Sequence, residues 1–171
     1  MKKLWIASVS LMALFAVAVE QSLAVTPMIA EGTRSFTLSG AINDNGNDVG
    51  IALNARAGYF FMDHVEAGIQ ASAGAYGSDW WTEVGGYGNY HFDIGSPLVP
   101  YVGIGIALNY TDDRHFDDLI LMVNGRGGVR YFFVDHAAIG TALVISAATE
   151  KIYPGSKSTD WDIRFFTSWY F

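Results

Sequence analysis

The sequence contains no cysteine, which excludes disulfide bonds, zinc–thiolate sites and cysteine nucleophiles. Basic residues are also few: 10 Lys and Arg stand against 17 Asp and Glu. Nucleic-acid binding needs clustered basic side chains, so this balance argues against it. Only 16% of the residues are charged, whereas 51% are hydrophobic. After Val19 no hydrophobic run approaches the roughly 20 residues of a membrane-spanning helix, so the apolar surface must be accommodated in another way.

The first 24 residues have the layout of a secretory signal peptide. A short basic start, residues 1–3, precedes the hydrophobic run LWIASVSLMALFAVAV, which is too short to span a membrane comfortably. Ser22-Leu23-Ala24 then places small residues where a signal peptidase reads them. We expect cleavage after Ala24, with a cut after Ala30 as the alternative. The chain therefore divides into a signal peptide, 1–24, and one domain, 25–171.

The rest of the chain alternates hydrophobic and polar residues with the period of two that β-strands show. The last segment is the clearest example, since Phe165 and Trp169 share one face and Asp162 and Arg164 the other. The fourth segment alternates least clearly because it contains three glycines. Eight strands are predicted, at about 33–42, 49–61, 65–76, 81–92, 100–110, 119–133, 137–148 and 160–171.

The sequence Tyr-Phe-Phe-x-Asp-His occurs twice, starting at Tyr59 and at Tyr131. The distance between the copies accommodates four strands of about 18 residues each, connections included, which agrees with eight strands in the domain. Asp63-His64 and Asp135-His136 are interpreted as tight turns. Metal or catalytic use is disfavoured, because neither pair has the further ligands that such a site needs.

The charged residues share a strand face with glycines and small residues, whereas the opposite face is hydrophobic and ends in aromatics. In a transmembrane barrel the hydrophobic face meets lipid and the polar face fills the interior. The predicted fold is therefore an all-β, eight-stranded antiparallel up-and-down transmembrane β-barrel. The predicted polar network of the lumen comprises Arg56, Glu66, Gln70, Asn124, Arg126, Arg130, Asp162 and Arg164. The predicted aromatic girdles at the membrane interfaces comprise Tyr59, Phe61, Tyr131, Phe133, Trp161 and Trp169, to which Trp80, Trp81 and Tyr90 are also assigned.

The predicted connections differ between the two ends of the barrel. Residues 62–64, 93–99 and 134–136 are expected to be periplasmic turns, and residues 43–48, 77–80, 111–118 and 149–159 to be mostly longer, polar surface loops. NDNGND, residues 43–48, is interpreted as a turn, because it lacks the spacing and closing glutamate of a calcium-binding EF-hand. Both chain termini are then expected on the periplasmic side.

The chain resembles the small eight-stranded outer-membrane barrels, the group that includes the transmembrane domain of outer-membrane protein A and its adhesion-type relatives. The resemblance is carried by SPLVPYVGIGIALNY, by the paired YFFxDH hairpins and by the ending DIRFFTSWYF, whose terminal Phe171 resembles the assembly signal of outer-membrane proteins. It implies a Gram-negative-type host, periplasmic chaperones and the barrel-assembly machinery as partners during biogenesis, and a multi-pass protein of the cell outer membrane.

Eight strands leave so little free cross-section that a lumen filled by side chains is favoured over an open pore. We therefore expect a monomer with a structural or surface-interaction role, in contact with outer-membrane lipids and lipopolysaccharide, without enzymatic activity, cofactor or metal. The alternatives are a narrow channel for small solutes and a lipid A-modifying barrel enzyme. The enzyme would use His115 in the loop sequence TDDRHFDD, residues 111–118.

Overall fold

The computed structural model describes residues 25–44, 49–76, 79–112, 119–150 and 158–171. They form a closed antiparallel barrel in which each strand pairs with the next and the last pairs with the first. No helix within these ranges is long and apolar enough to cross a membrane. The strands are β1 (Arg34–Asp44), β2 (Val49–Met62), β3 (Val65–Tyr76), β4 (Asp79–His91), β5 (Leu98–Asp112), β6 (Leu119–Val134), β7 (Ala137–Ala148) and β8 (Thr159–Tyr170). The predicted fold is confirmed, and every predicted strand end lies within two residues of the observed one.

The connections differ less between the two ends of the barrel than predicted. At the end that holds the chain termini, two-residue turns at 63–64 and 135–136 accompany a longer link, 92–97. At the other end, called the loop end below, the connection predicted at 77–80 is two residues shorter, since β4 begins at Asp79, which pairs with Tyr76. Strands β1 and β5 likewise extend into the predicted turn at 43–48 and loop at 111–118. The remainder of those two segments, His115 included, lies outside the described residues, as do 151–157 and the predicted signal peptide.

The strands carry hydrophobic side chains on the outside of the barrel and polar ones on the inside. In β1, Phe36 and Leu38 point outward, whereas Ser35, Thr37 and Ser39 are buried inside. The outward side chains are large and strongly exposed, with Ile104 at 72% and Ile69 at 69%. Because each square ångström of apolar surface in water costs about 25 cal/mol, this exterior is suited to lipid.

A strap, residues 25–33, crosses the end of the barrel at which the chain termini lie. The Thr26 N–H donates to the Asp135 carboxylate at 2.8 Å, and the Glu31 N–H donates to the Asp63 carboxylate at 2.9 Å. Between these two points Ile29 accepts a 2.8 Å bond from the His64 N–H. Since the two turns are four strands apart, the strap runs from one side of the barrel mouth to the other.

Ile29 is the residue by which the strap closes the mouth. Its side chain is 4% exposed and packs into a cluster of buried residues that includes Phe60, Phe132 and Tyr170. Phe60 and Phe132 are the second letters of the two YFFxDH copies, and both copies carry a register shift at the following phenylalanine. Each copy therefore supplies one aromatic ring to the cluster around Ile29, called the Ile29 seat below, and one carboxylate that accepts a hydrogen bond from the strap.

Replacing Ile29 with aspartate should release the strap, because the carboxylate would be buried among aromatic rings without a partner. We expect the free energy of unfolding to fall by about 2–4 kcal/mol. A folded barrel migrates anomalously on gels when the sample is not boiled. The temperature at which this migration is lost measures the change in stability. Thr26→Ala, on an exposed position of the same strap, should leave that temperature unchanged. Equal temperatures for the Ile29→Asp variant and the wild type would contradict the role assigned to Ile29.

Candidate functional site: the lumen

The structure places all eight predicted network residues on the inward face of the barrel. Six of them are buried, and the remaining two, Asp162 and Arg164, are partly exposed toward the loop end. The side chains form levels, which follow one another from the strap to the loop end. Every level contains at least one arginine, so the interior of the barrel is charged rather than apolar.

The deepest polar level is organised around Glu66, which is completely buried. Its Oε1 accepts hydrogen bonds from the Ser35 hydroxyl and, at 2.8 Å, from the Tyr87 hydroxyl. Its Oε2 accepts from Asn89 Nδ2 at 2.9 Å and lies 3.0 Å from His91 Nε2. A buried carboxylate is tolerated only when it is paired and hydrogen-bonded, and these neighbours meet that requirement.

Arg130 supplies the opposite charge at the same level. Its guanidinium lies 3.5 Å from the Glu66 carboxylate and donates to the Tyr170 hydroxyl at 2.6 Å. The Arg130 guanidinium also lies 4.7 Å from the centre of the Tyr101 ring and 5.6 Å from that of Phe166, so aromatic faces cover the charge. Arg130 and Glu66 are both completely buried, and Tyr170 connects Arg130 to the cluster of buried residues around Ile29.

The next level is a chain of hydrogen bonds between β3, β4 and β6. The Arg126 Nη2 atom donates to Gln70 Oε1 at 2.7 Å and to Asn124 Oδ1 at 2.6 Å. Gln70 Nε2 in turn donates to Glu83 Oε1 at 3.1 Å. The amide of Gln70 therefore links a buried cation to a buried carboxylate without direct contact between them.

The level nearest the loop end is partly open. Arg164 forms a two-pronged ion pair with Asp162, at 2.9 and 2.8 Å. Asn54 on β2 donates to the Ser72 hydroxyl oxygen on the neighbouring β3 at 2.8 Å. A cavity of about 60 Å³ lies among these side chains, and it is also lined by Ser39 and Trp81.

The predicted position of Trp81 is wrong. The sequence predicts it in an aromatic girdle, but its indole lies inside the lumen against Gly74, where any side chain would collide with it. The reason is the alternation of β4, whose odd-numbered residues face inward. The same alternation brings in four network residues that the sequence analysis missed because the glycines of β4 obscured it: Glu83, Tyr87, Asn89 and His91.

The structure places the six predicted girdle residues on the outside of the barrel. Tyr59, Phe61 and Phe133 are about half exposed beside the strap, and Tyr131 is half-buried there. Trp161 is 66% exposed at the loop end, whereas Trp169 lies on the strap side. Trp80 and Tyr90 are also exposed, at opposite ends of β4, and Phe171 is exposed beyond the end of β8. Aromatic rings therefore stand at both ends of the apolar exterior.

The lumen also contains a serine, a histidine and a carboxylate in contact, which invites comparison with a hydrolase triad. The order of contacts is wrong, however, because Glu66 stands between Ser35 and His91. A histidine in that position does not take a proton from the serine. In the part of the chain that the structure describes, no group of three His, Asp or Glu side chains is placed to hold a metal ion.

The sequence matches no family model and no curated protein. Solved structures do match it. The N-terminal β-barrel domain of OprF from Pseudomonas aeruginosa has a TM-score of 0.62 at 20% identity, over 83% of this chain and 98% of that one. Neisserial surface protein A has a TM-score of 0.58 at 14% identity, over 80% and 94%. OprG from Pseudomonas aeruginosa has a TM-score of 0.52 at 14% identity, over 86% and 99%.

The chain has the fold of the small outer-membrane barrels. At these identities the likeness concerns the fold. Combined with the apolar exterior, it supports a membrane β-barrel protein that contacts lipid.

Replacing Glu66 with glutamine should leave Arg130 as an unpaired buried charge, and we expect a loss of about 3–5 kcal/mol in the free energy of unfolding. In the Glu66→Gln, Arg130→Met double variant the loss should be smaller than the sum of the two single losses by at least about 1 kcal/mol. Urea unfolding followed by tryptophan fluorescence measures all three. Asp162→Asn, which breaks a partly exposed pair, should cost about 1 kcal/mol or less. Additive single losses would contradict the pairing.

Proposed function

We propose that the protein is an integral outer-membrane barrel with a closed lumen and a structural or surface-interaction role. In this role it strengthens the membrane through its lipid contacts and presents its loop end to the outside, with both termini in the periplasm. The proposal includes the absence of catalysis and a monomeric state. The apolar exterior with aromatic rings at both ends supports the placement in a membrane.

The lumen is inferred to be closed because side chains fill it continuously on the strap side. Ile29 and its aromatic seat close the mouth, and the Glu66–Arg130 level lies directly above them. Glu66, Arg130, Phe60 and Phe132 are all completely buried. A solute would have to displace both levels, and with them a buried ion pair, to cross.

The strap also supports the proposed processing and assembly. A signal-peptidase cut after Ala24 leaves residues 25–33 to close the barrel, whereas a cut after Ala30 would remove Ile29 from its seat. Phe171 is the proposed signal for the barrel-assembly machinery. Its backbone N–H and C=O both bond to Arg34, which joins the last strand to the first. Periplasmic chaperones and lipopolysaccharide complete the proposed set of partners.

A narrow channel is the second candidate, because the lumen is partly open at the loop end as far as Asp162 and Arg164. The wild-type protein in planar bilayers should give no single-channel steps, since the strap side is filled. Replacing both Arg130 and Tyr170 with alanine removes two of the largest fully buried side chains, and this variant should conduct. It serves as the positive control. Clear, reproducible steps from the wild type would overturn the closed lumen.

A lipid A-modifying enzyme is the third candidate, and its proposed histidine, His115, lies outside the described residues. Under our proposal the lipid A of cells that express the protein has the same mass spectrum as that of cells without it. The His115→Ala variant should likewise change nothing. A mass difference that depends on His115 would replace the structural role with an enzymatic one.

A further inference from the structure

One cation stands on the apolar outside of the barrel, at the strap end. Among the described residues Arg34 is the only arginine or lysine that points outward, since Arg56, Arg126, Arg130 and Arg164 all point into the lumen. The Arg34 side chain is exposed and has no ion-pair or hydrogen-bond partner among the described residues. A charge at the edge of an apolar face that meets lipid needs a partner from water or from a lipid headgroup.

Tyr59 stands beside Arg34 on the same outward face. The two residues are direct cross-strand partners of β1 and β2, so their side chains start only about 5 Å apart. Tyr59 is also exposed, and its hydroxyl can donate a hydrogen bond at the boundary between lipid and water. A guanidinium binds phosphate through charge-assisted hydrogen bonds. Arg34 and Tyr59 therefore offer together the charge and the donors that a phosphate group takes.

A groove in the outer surface of the barrel begins at this pair. It has a volume of about 500 Å³ and lies over β1, β2 and β3. Small side chains form its floor and larger apolar ones its sides, namely Ala57, Ala67, Phe36 and Ile69. The ring of Phe36 stacks on that of Trp169, with 6.2 Å between the ring centres, which supports one side of the groove. Arg34, Tyr59 and Phe171 surround its end nearest the strap.

A second and larger groove, of about 970 Å³, adjoins the first one toward the loop end. The next outward residues of β2 and β3 are Ala55 and Ala71, which pair with each other and line it, and Leu53 lies beyond them. From Tyr59 to Leu53 the strand covers roughly 20 Å. At the usual tilt of about 45° this spans about 14 Å of membrane depth, close to half of the hydrocarbon core. The two grooves together therefore match the length of one acyl chain in one leaflet.

We propose that this face binds one anionic glycerophospholipid, with its phosphate at Arg34 and Tyr59 and one acyl chain along the alanines of β2 and β3. The inference rests on the proposed membrane placement, in which the strap end lies at the periplasmic leaflet. Charge favours a lipid over a second copy of the chain. Two copies that met symmetrically through this face would bring two Arg34 side chains together, and no carboxylate lines either groove.

Native mass spectrometry of the purified barrel, released from detergent with added phosphatidylglycerol, tests the headgroup site. The wild type should bind one phosphatidylglycerol at least about tenfold more tightly than a diacylglycerol with the same chains, which lacks the phosphate. The Arg34→Gln variant should bind the two lipids with similar, weaker affinity. Equal affinity of phosphatidylglycerol for the wild type and Arg34→Gln would overturn the proposal. So would a dimer mass in place of a bound lipid, since the second copy would then occupy the face.

Filling the groove tests the acyl-chain site without touching the charge. Ala57→Leu should weaken phosphatidylglycerol binding at least about tenfold, because the larger side chain occupies the floor of the groove. Ala147→Leu, on an exposed outward position of β7 that lines neither groove, should bind as the wild type does. Equal weakening by both variants would overturn the site. Insertion of the wild type into liposomes is measured in parallel. Failure to insert would contradict the proposed function, whereas an inserted barrel that binds both lipids equally would contradict only the lipid site.

Discussion

Closure of the sheet is the constraint on which the rest of this structure depends. A backbone N–H or C=O that faces hydrocarbon has no water to bond, and leaving it unpaired costs several kcal/mol. The pairing of β1 with β8 removes the last free edge, and the bonds between Arg34 and Phe171 extend it by one residue. With eight strands, closure fixes an interior only as wide as its own side chains. The choice of inward residues is therefore a packing problem as much as a chemical one.

Glycines on the inward face make the charged levels possible. At Gly58 a side chain would collide with Glu66, Tyr87 and Ser35 together, so the glycine provides the room in which the carboxylate collects its partners. At Gly140 a side chain would collide with the ring of Phe166. The large residues of one strand thus occupy the space left by glycines on nearby strands. This explains how a narrow barrel holds four arginines and their partners.

The sequence alone predicted the barrel, the strand count and the strand ends to within two residues, because alternation is a local signal. It did not predict which charges meet, because the pairing of Glu66 with Arg130 depends on how distant strands align around the barrel. In β4 the glycines hid the alternation, which is why Trp81 was assigned to the wrong face. The strap was missed altogether, since residues 25–33 have no periodic pattern and their partners are the turns of two hairpins far along the chain.

The two ends of the lumen differ in chemistry as well as in shape. At the strap end the Glu66–Arg130 pair is completely buried next to Ile29 and the phenylalanine rings, and the Glu66 carboxylate accepts its hydrogen bonds from protein groups. At the loop end the Asp162–Arg164 pair remains in contact with solvent. The lumen is thus filled by side chains at the strap end and partly open at the loop end. Under the proposed closure of the strap end, any ion or small molecule that binds in the lumen would enter from the loop end.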